Sequence, residues 1–217
     1  MASGQRTAAT SPRYERGSAE FGRVVSFADG VAAIALTLLI LGIDLPRPTG
    51  DPASANVFEL VGDLSEQIFA FLLSFVLIAF YWFGHHRFVG RLRAIDGAMI
   101  AWTMVFLLLI VIVPFEAQVI GFYAGNEQAI TLYAAWFVVF GIVDIAGYQL
   151  ARARRLLHEE PSREVVRFAL TARGIAPVVF ALSIPVAYLV SPDAAMWSWL
   201  AIWPLSALLT RNPPPGA

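Results

Sequence analysis

Charged side chains that fall inside apolar stretches are the first candidates for chemistry in this chain. Asp29 stands in the second turn of an apolar stretch that begins near Val24, and Asp144 lies within another that runs from Ile130 to Tyr148. An ionised group in hydrocarbon is costly and is retained for an ion path, a proton relay or a specific partner. Arg23, Asp96 and Arg173 sit near the ends of such stretches, where snorkelling or an ion pair between helices accounts for them. Asp144, close in sequence to Arg152 and Arg154, reads as a structural pair with one of these rather than as a proton site. His85, His86 and His158 are the histidines, and all three map to the ends of apolar stretches. Zinc would require further Cys, His or carboxylate ligands at suitable spacing, so no fixed metal site is expected. There is no Cys, which excludes disulfides, iron–sulfur clusters and thiol catalysis. With no Gly-x-Ser-x-Gly elbow, no paired-aspartate motif of intramembrane proteolysis and no phosphate-cradling glycine loop, the chain reads as a non-enzyme without a cofactor.

One stretch combines charge, a hydroxyl and periodicity. In Arg23–Leu41, at about 100° per residue, Ile34, Leu38 and Leu41 share a sector of roughly 60°, with Thr37 at its edge. Ala28, Ala32 and Ala35 lie on the other side, where small residues allow close helix packing. By spacing alone the branched stripe reads equally as packed core, as a lipid face or as the lining of a pore.

The elements that carry these residues are transmembrane helices. Hydrophobic residues make up 58% of the 217 and charged ones 14%, too few charges to cover a soluble domain of this size. About 20 apolar residues cross a bilayer, and six stretches approach that length: Val24–Ile43, Gln67–Gly84, Ala98–Pro114, Ile130–Tyr148, Phe168–Val190 and Ala194–Leu209. Pro177 and Pro185 are expected to kink the fifth. The tryptophans, Trp82, Trp102, Trp136, Trp197, Trp199 and Trp203, fall mostly near predicted ends, as in an interfacial belt, with Trp102 and Trp136 open to an inside position. All fifteen basic residues are Arg, and six spans place fourteen of them on one side with Arg47 alone on the other. The positive-inside rule makes the arginine-rich side cytoplasmic, with both termini there. The expected organisation is a disordered tail over 1–22, a six-helix transmembrane domain over 23–210 and a short tail over 211–217, in an all-α protein of the plasma membrane. Nothing in the composition points to nucleic acid.

Arg23-x-x-x-Phe27-Ala28-Asp29 followed by Ile34-Ala-x-Thr37-Leu38-Leu resembles the signature of the lysosomal potassium channel family, transmembrane protein family 175, in its bacterial form. Trp82-Phe-Gly-His85-His86-Arg87-Phe88, Arg93-x-x-Asp96 and Pro114-Phe115 extend the resemblance over roughly residues 20–120. Ala28 stands where the family usually has Ser, which removes a hydroxyl that could bond a neighbouring helix. The resemblance implies a cation channel that prefers potassium. Because eukaryotic relatives with two six-helix repeats form dimers, a single-repeat chain would assemble as a homotetramer with its first helices around the fourfold axis. By motif, Ile34 maps to the pore constriction, Thr37 to a selectivity layer of hydroxyls, and Leu38 and Leu41 to further pore-lining layers. Arg23, Phe27, Asp29, Trp82 and His86 map to a network tying the first helix to its neighbours.

The residues are compatible with that reading. A ring of Ile is too apolar to coordinate a cation and can gate by dewetting, and the chain has no Thr-Val-Gly-Tyr-Gly filter segment. Eight acids from Asp44 to Asp193, Glu116 among them, oppose Arg47 on the outer side and would concentrate cations there. The rival readings are a secondary transporter with Asp29 or Asp144 as a proton-coupled site, and a non-conducting membrane scaffold. Transporters are often built from internal repeats, and no repeat is visible here.

Overall fold

The computed structural model describes residues 12–47, 51, 53 and 56–216. In order these form strand β1 (Arg13–Glu15), helix α1 (Ala19–Leu38), α2 (Val57–Asp63), α3 (Ser65–Val89), strand β2 (Ala94–Asp96), α4 (Gly97–Phe122), α5 (Glu127–Ala153), α6 (Arg163–Leu189), α7 (Pro192–Ser198) and α8 (Ile202–Leu209). A 3₁₀ turn, Leu39–Gly42, extends α1, and another, Trp199–Ala201, joins α7 to α8. The helix starts follow the capping rule that a short polar side chain accepts from an otherwise unpaired backbone N–H. Ser18, Asp96, Asn126, Ser162 and Ser191 do this for α1, α4, α5, α6 and α7.

Among the described residues, five helices are long and apolar enough to cross a membrane: α1 with its 3₁₀ turn, α3, α4, α5 and α6. The sixth expected span, Ala194–Leu209, is not one helix. It is the broken run of α7, the 3₁₀ turn and α8, with Pro204 close to the start of α8 where its missing N–H is tolerated. The third span does not stop at Pro114: α4 continues to Phe122, with Trp136 donating to the Leu109 carbonyl in the turn ahead of the proline. Apolar neighbours make continuing the helix cheaper than exposing its backbone.

The core lies between α3, α4, α5 and α6 and is aromatic. Tyr81 stacks on Phe140 at 3.9 Å, Phe137 on Phe180 at 4.9 Å and Tyr133 on Trp199 at 5.0 Å. Trp199, expected in an interfacial belt, is therefore fully buried, and its indole donates to Ser183. Two glycines permit the closest helix approaches. A Cβ on Gly147 would meet the Trp102 ring at 2.1 Å, and one on Gly141 would meet Pro177 at 2.5 Å.

The arginine-rich segments gather at one end. The expected tail over 1–22 is ordered from residue 13 on, because β1 pairs antiparallel with β2 and Ser18 already caps α1; residues 1–11 lie outside the described residues. On the other edge of the same connection, Leu92 bridges to Leu157, and Arg93 donates its N–H to the Leu156 carbonyl at 2.9 Å. Segment 91–96 is thus sandwiched between the N-terminal strand and the α5–α6 connection. Side chains reinforce the sandwich. Arg154 pairs with Asp96, Arg13 reaches the Arg154 carbonyl at 3.2 Å, and Arg16 reaches the Gly90 carbonyl and lies 3.3 Å from His158. Asp96 is buried, which opposes its ionisation, but the Arg154 bond and the Met99 N–H prevail and hold its carboxyl below the usual range.

Candidate functional site

Helix α1 divides into two faces. Ala28, Ala32 and Ala35 are buried, and the helix lies on α4 and α3. Methyl-sized side chains bring the backbones close, and this seam is what fixes the rotation of α1. On the other side Ile34 is 59% exposed and Leu41 74%, with Phe27, Thr37 and Leu38 exposed along the same flank. The four stripe residues, Ile34, Thr37, Leu38 and Leu41, are therefore neither core nor covered by any other of the described residues. Leu41 extends the line from within the 3₁₀ turn, beyond the end of the α-helix.

Thr37 has a defined orientation. Its hydroxyl donates to the Ile34 carbonyl at 2.8 Å. With the proton committed to the helix backbone, the oxygen presents its lone pairs outward as an acceptor.

Asp29 lies on the flank between the two faces, and the Trp82 indole N–H donates to its carboxylate at 3.0 Å. This bond ties α1 to α3 within the membrane-spanning part of both helices. His86, one turn further along α3, does not bond Asp29. It is exposed, and its ring packs against Trp82 with centroids 5.5 Å apart. Arg23 lies within α1, whose start at Ala19 leaves no room for the residue to turn back before the helix. It is exposed on the side of Ile34 and has no side-chain partner among the described residues.

Other charged and polar groups took positions that spacing did not give. Asp144 faces Arg173 of α6 at 3.4 Å, not Arg152 or Arg154, and the Arg173 guanidinium also lies over the rings of Phe88 and Tyr148. His85, near the end of α3, is buried between Trp102 and Phe106, stacked on the latter at 4.6 Å, so it belongs to the core. Glu116, counted among the outer acids, is buried within α4. One of its carboxylate oxygens has no hydrogen-bond partner among the described residues. The signal for Asp96 was legible: an Asp directly before Gly-Ala-Met and an apolar run marks a helix start.

Comparison with known proteins places this geometry. Residues 23–114 match the model of the endosomal/lysosomal potassium channel TMEM175 family, the stretch that includes most of α1, all of α3 and most of α4. A potassium channel of Chamaesiphon minutus is 34% identical over 179 residues, which cover 76% of this chain and 84% of that protein. A potassium channel of Streptomyces collinus is 31% identical over 127 residues, covering 58% and 59%. The crystal structure of a lysosomal potassium-selective channel TMEM175 homologue from Chamaesiphon minutus superposes with a TM-score of 0.75 at 25% identity, over 90% of this chain and 100% of that one. With five membrane-length helices in the same arrangement and the motif residues on the first two of them, this multi-pass membrane protein belongs to the endosomal/lysosomal potassium channel TMEM175 family.

Proposed function

We propose that four copies of the chain form a passive, potassium-preferring channel whose pore is lined by the exposed face of α1. The observation that carries this reading is the division of α1 into a buried alanine seam and an uncovered stripe of Ile34, Thr37, Leu38 and Leu41. Around a fourfold axis the Ile34 side chains form the constriction, and they pass ions only when wetted. The Thr37 layer presents hydroxyl oxygens that replace part of a hydration shell, consistent with a proton already donated to the Ile34 carbonyl. Leu38 and Leu41 continue the lining without charge. No Thr-Val-Gly-Tyr-Gly loop takes part, so the discrimination rests on side-chain oxygens and on pore diameter.

In the proposed assembly Asp29 and Trp82 hold the angle of α1, with Phe27, Arg23 and His86 at the cytoplasmic end of the same network. Pro192–Leu209 makes the sixth crossing, which puts both termini on the arginine-rich, cytoplasmic side of a plasma membrane. The transmembrane unit is 23–210, and the partners are three further copies, potassium and the bilayer.

The test is current through a planar bilayer that contains the purified chain. Unitary, potassium-preferring currents are expected. Slow saturable flux would replace the channel with a proton-coupled carrier that uses Asp29 or Asp144, and no flux would leave a scaffold.

A further inference from the structure

A cavity of about 380 Å³ opens between α3, α5, α6 and α8, away from the exposed face of α1. That is the size of a small-molecule site. Its wall carries an excess of donors. Arg87, Arg91 and Arg173 bring three guanidinium groups against the one carboxylate of Asp144, and that carboxylate already faces Arg173. The hydroxyls of Tyr81, Tyr148 and Ser206 are buried without a hydrogen-bond partner among the described residues. Tyr81 is 5% exposed and Tyr148 2%, so neither hydroxyl turns out to bulk solvent. A buried hydroxyl without an acceptor costs on the order of 1–3 kcal/mol, and three in one cavity call for an occupant.

The donors specify its chemistry. Several acceptor oxygens with net negative charge satisfy guanidinium and hydroxyl groups together, as in a phosphate ester. The remaining wall is apolar, with Phe80 and Phe83 at the edge of α3 exposed toward the outside of the bundle. The cavity lies at the arginine-rich end of the spanning helices, at the depth of a headgroup. We propose that it holds the headgroup of an anionic phospholipid from the leaflet on that side, with an acyl chain along Phe80 and Phe83. Basic pockets between membrane helices bind such lipids for these reasons. The proposal is independent of whether α1 lines a pore.

Native mass spectrometry of the purified full chain tests it, with phosphatidylglycerol, phosphatidylcholine and inorganic phosphate as probes. Phosphatidylglycerol is expected to remain bound where phosphatidylcholine does not, with affinity falling about five-fold for each of Arg87→Gln and Arg91→Gln. Tyr148→Phe, which removes one hydroxyl and no charge, should weaken the same lipid without unfolding the protein. Arg163→Gln with Arg211→Gln, both exposed and outside the cavity, should leave it unchanged. Equal retention of the two lipids would overturn the proposal, as would an equal loss in the control variant, which would mean attraction to any basic surface. Inorganic phosphate displacing the lipid at low millimolar concentration would overturn it too, in favour of a free-anion site.

Discussion

Helices α1 and α5 are both long and apolar enough to cross a membrane, yet the described residues complete the surroundings of only one. Helix α5 is clasped: Trp102 sits on Gly147, Pro177 on Gly141, and Tyr133, Phe137 and Phe140 run through a stacked aromatic core. Of the most apolar window of α5, 39% is buried, against 22% for α1. Helix α1 rests on three alanines, and among the described residues one side-chain hydrogen bond, Trp82 to Asp29, ties it to another helix. A helix so sparsely held by the described residues and so openly apolar is what the proposed pore would require of its lining. Lipid would accept it, but lipid requires neither an oriented hydroxyl nor a tied carboxylate.

The largest expected effect separates the two helices by one methyl group. Gly147→Ala drives a Cβ into the Trp102 ring, where overpacking costs about 3 kcal/mol or more. Size-exclusion of the detergent-extracted protein should show loss of the folded peak. Gly30→Ala, on α1 with open space around its added Cβ, should give the parent profile.

Next come two hydrogen-bonded aspartates, one buried and one half-buried. Asp96 caps α4 and pairs with Arg154, and removing its charge in Asp96→Asn should cost on the order of 2–3 kcal/mol, read as a lower Tm. Because the folded carboxyl titrates below its unfolded value of about 3.9, this stability is present above that value and is lost as pH falls through the lower folded one. The Tm of the parent should therefore drop on acidification below pH 4 and that of Asp96→Asn less so. Asp29→Asn keeps the size of the group and weakens one bond, so about 1 kcal/mol is expected. Its larger effect should be on assembly and open probability, with the reversal potential little moved.

On the stripe the effects should appear in current and not in stability. Ile34→Asn, at the proposed constriction, should raise conductance or open probability at unchanged Tm of the subunit. Thr37→Ala should lower the potassium-over-sodium ratio by roughly three-fold, the worth of one hydroxyl contact, as measured by bi-ionic reversal potentials. The smallest effect belongs to the end of α5. The Leu156 N–H bonds the Ala151 carbonyl and Arg155 stands at φ 53°, a left-handed position that favours glycine. Arg155→Gly should raise stability by about 0.5 kcal/mol, since its ion pair with Glu160 is fully solvated.

Legibility in the sequence followed the range of the forces. Periodicity over one helix was enough to separate the alanine seam from the Ile34–Leu41 stripe, because both are properties of α1 alone. The Asp29–Trp82 tie was within reach, since depth in the membrane can be counted along each span. Which helix neighbours which cannot be counted that way. Asp144 therefore drew Arg152 and Arg154 as partners from proximity in sequence, when α6 brings Arg173 against it. Strand β1 was invisible for the same reason: Arg13-Tyr14-Glu15 has no strand character until segment 91–96 offers it an edge. The sixth span looked continuous because composition does not register the 3₁₀ break at Trp199.

The absence of Cys from the chain allows the most direct test of α1. Single cysteines are introduced at Ile34, Thr37, Leu38 and Leu41 on the stripe and at Ala32 and Ala35 on the seam, and each is exposed to a charged, water-soluble thiol reagent during current recording. Block at the four stripe positions with the two alanine positions silent is the predicted result. Reaction at Ala32 or Ala35 with a silent stripe would contradict it and put the ion path on another face.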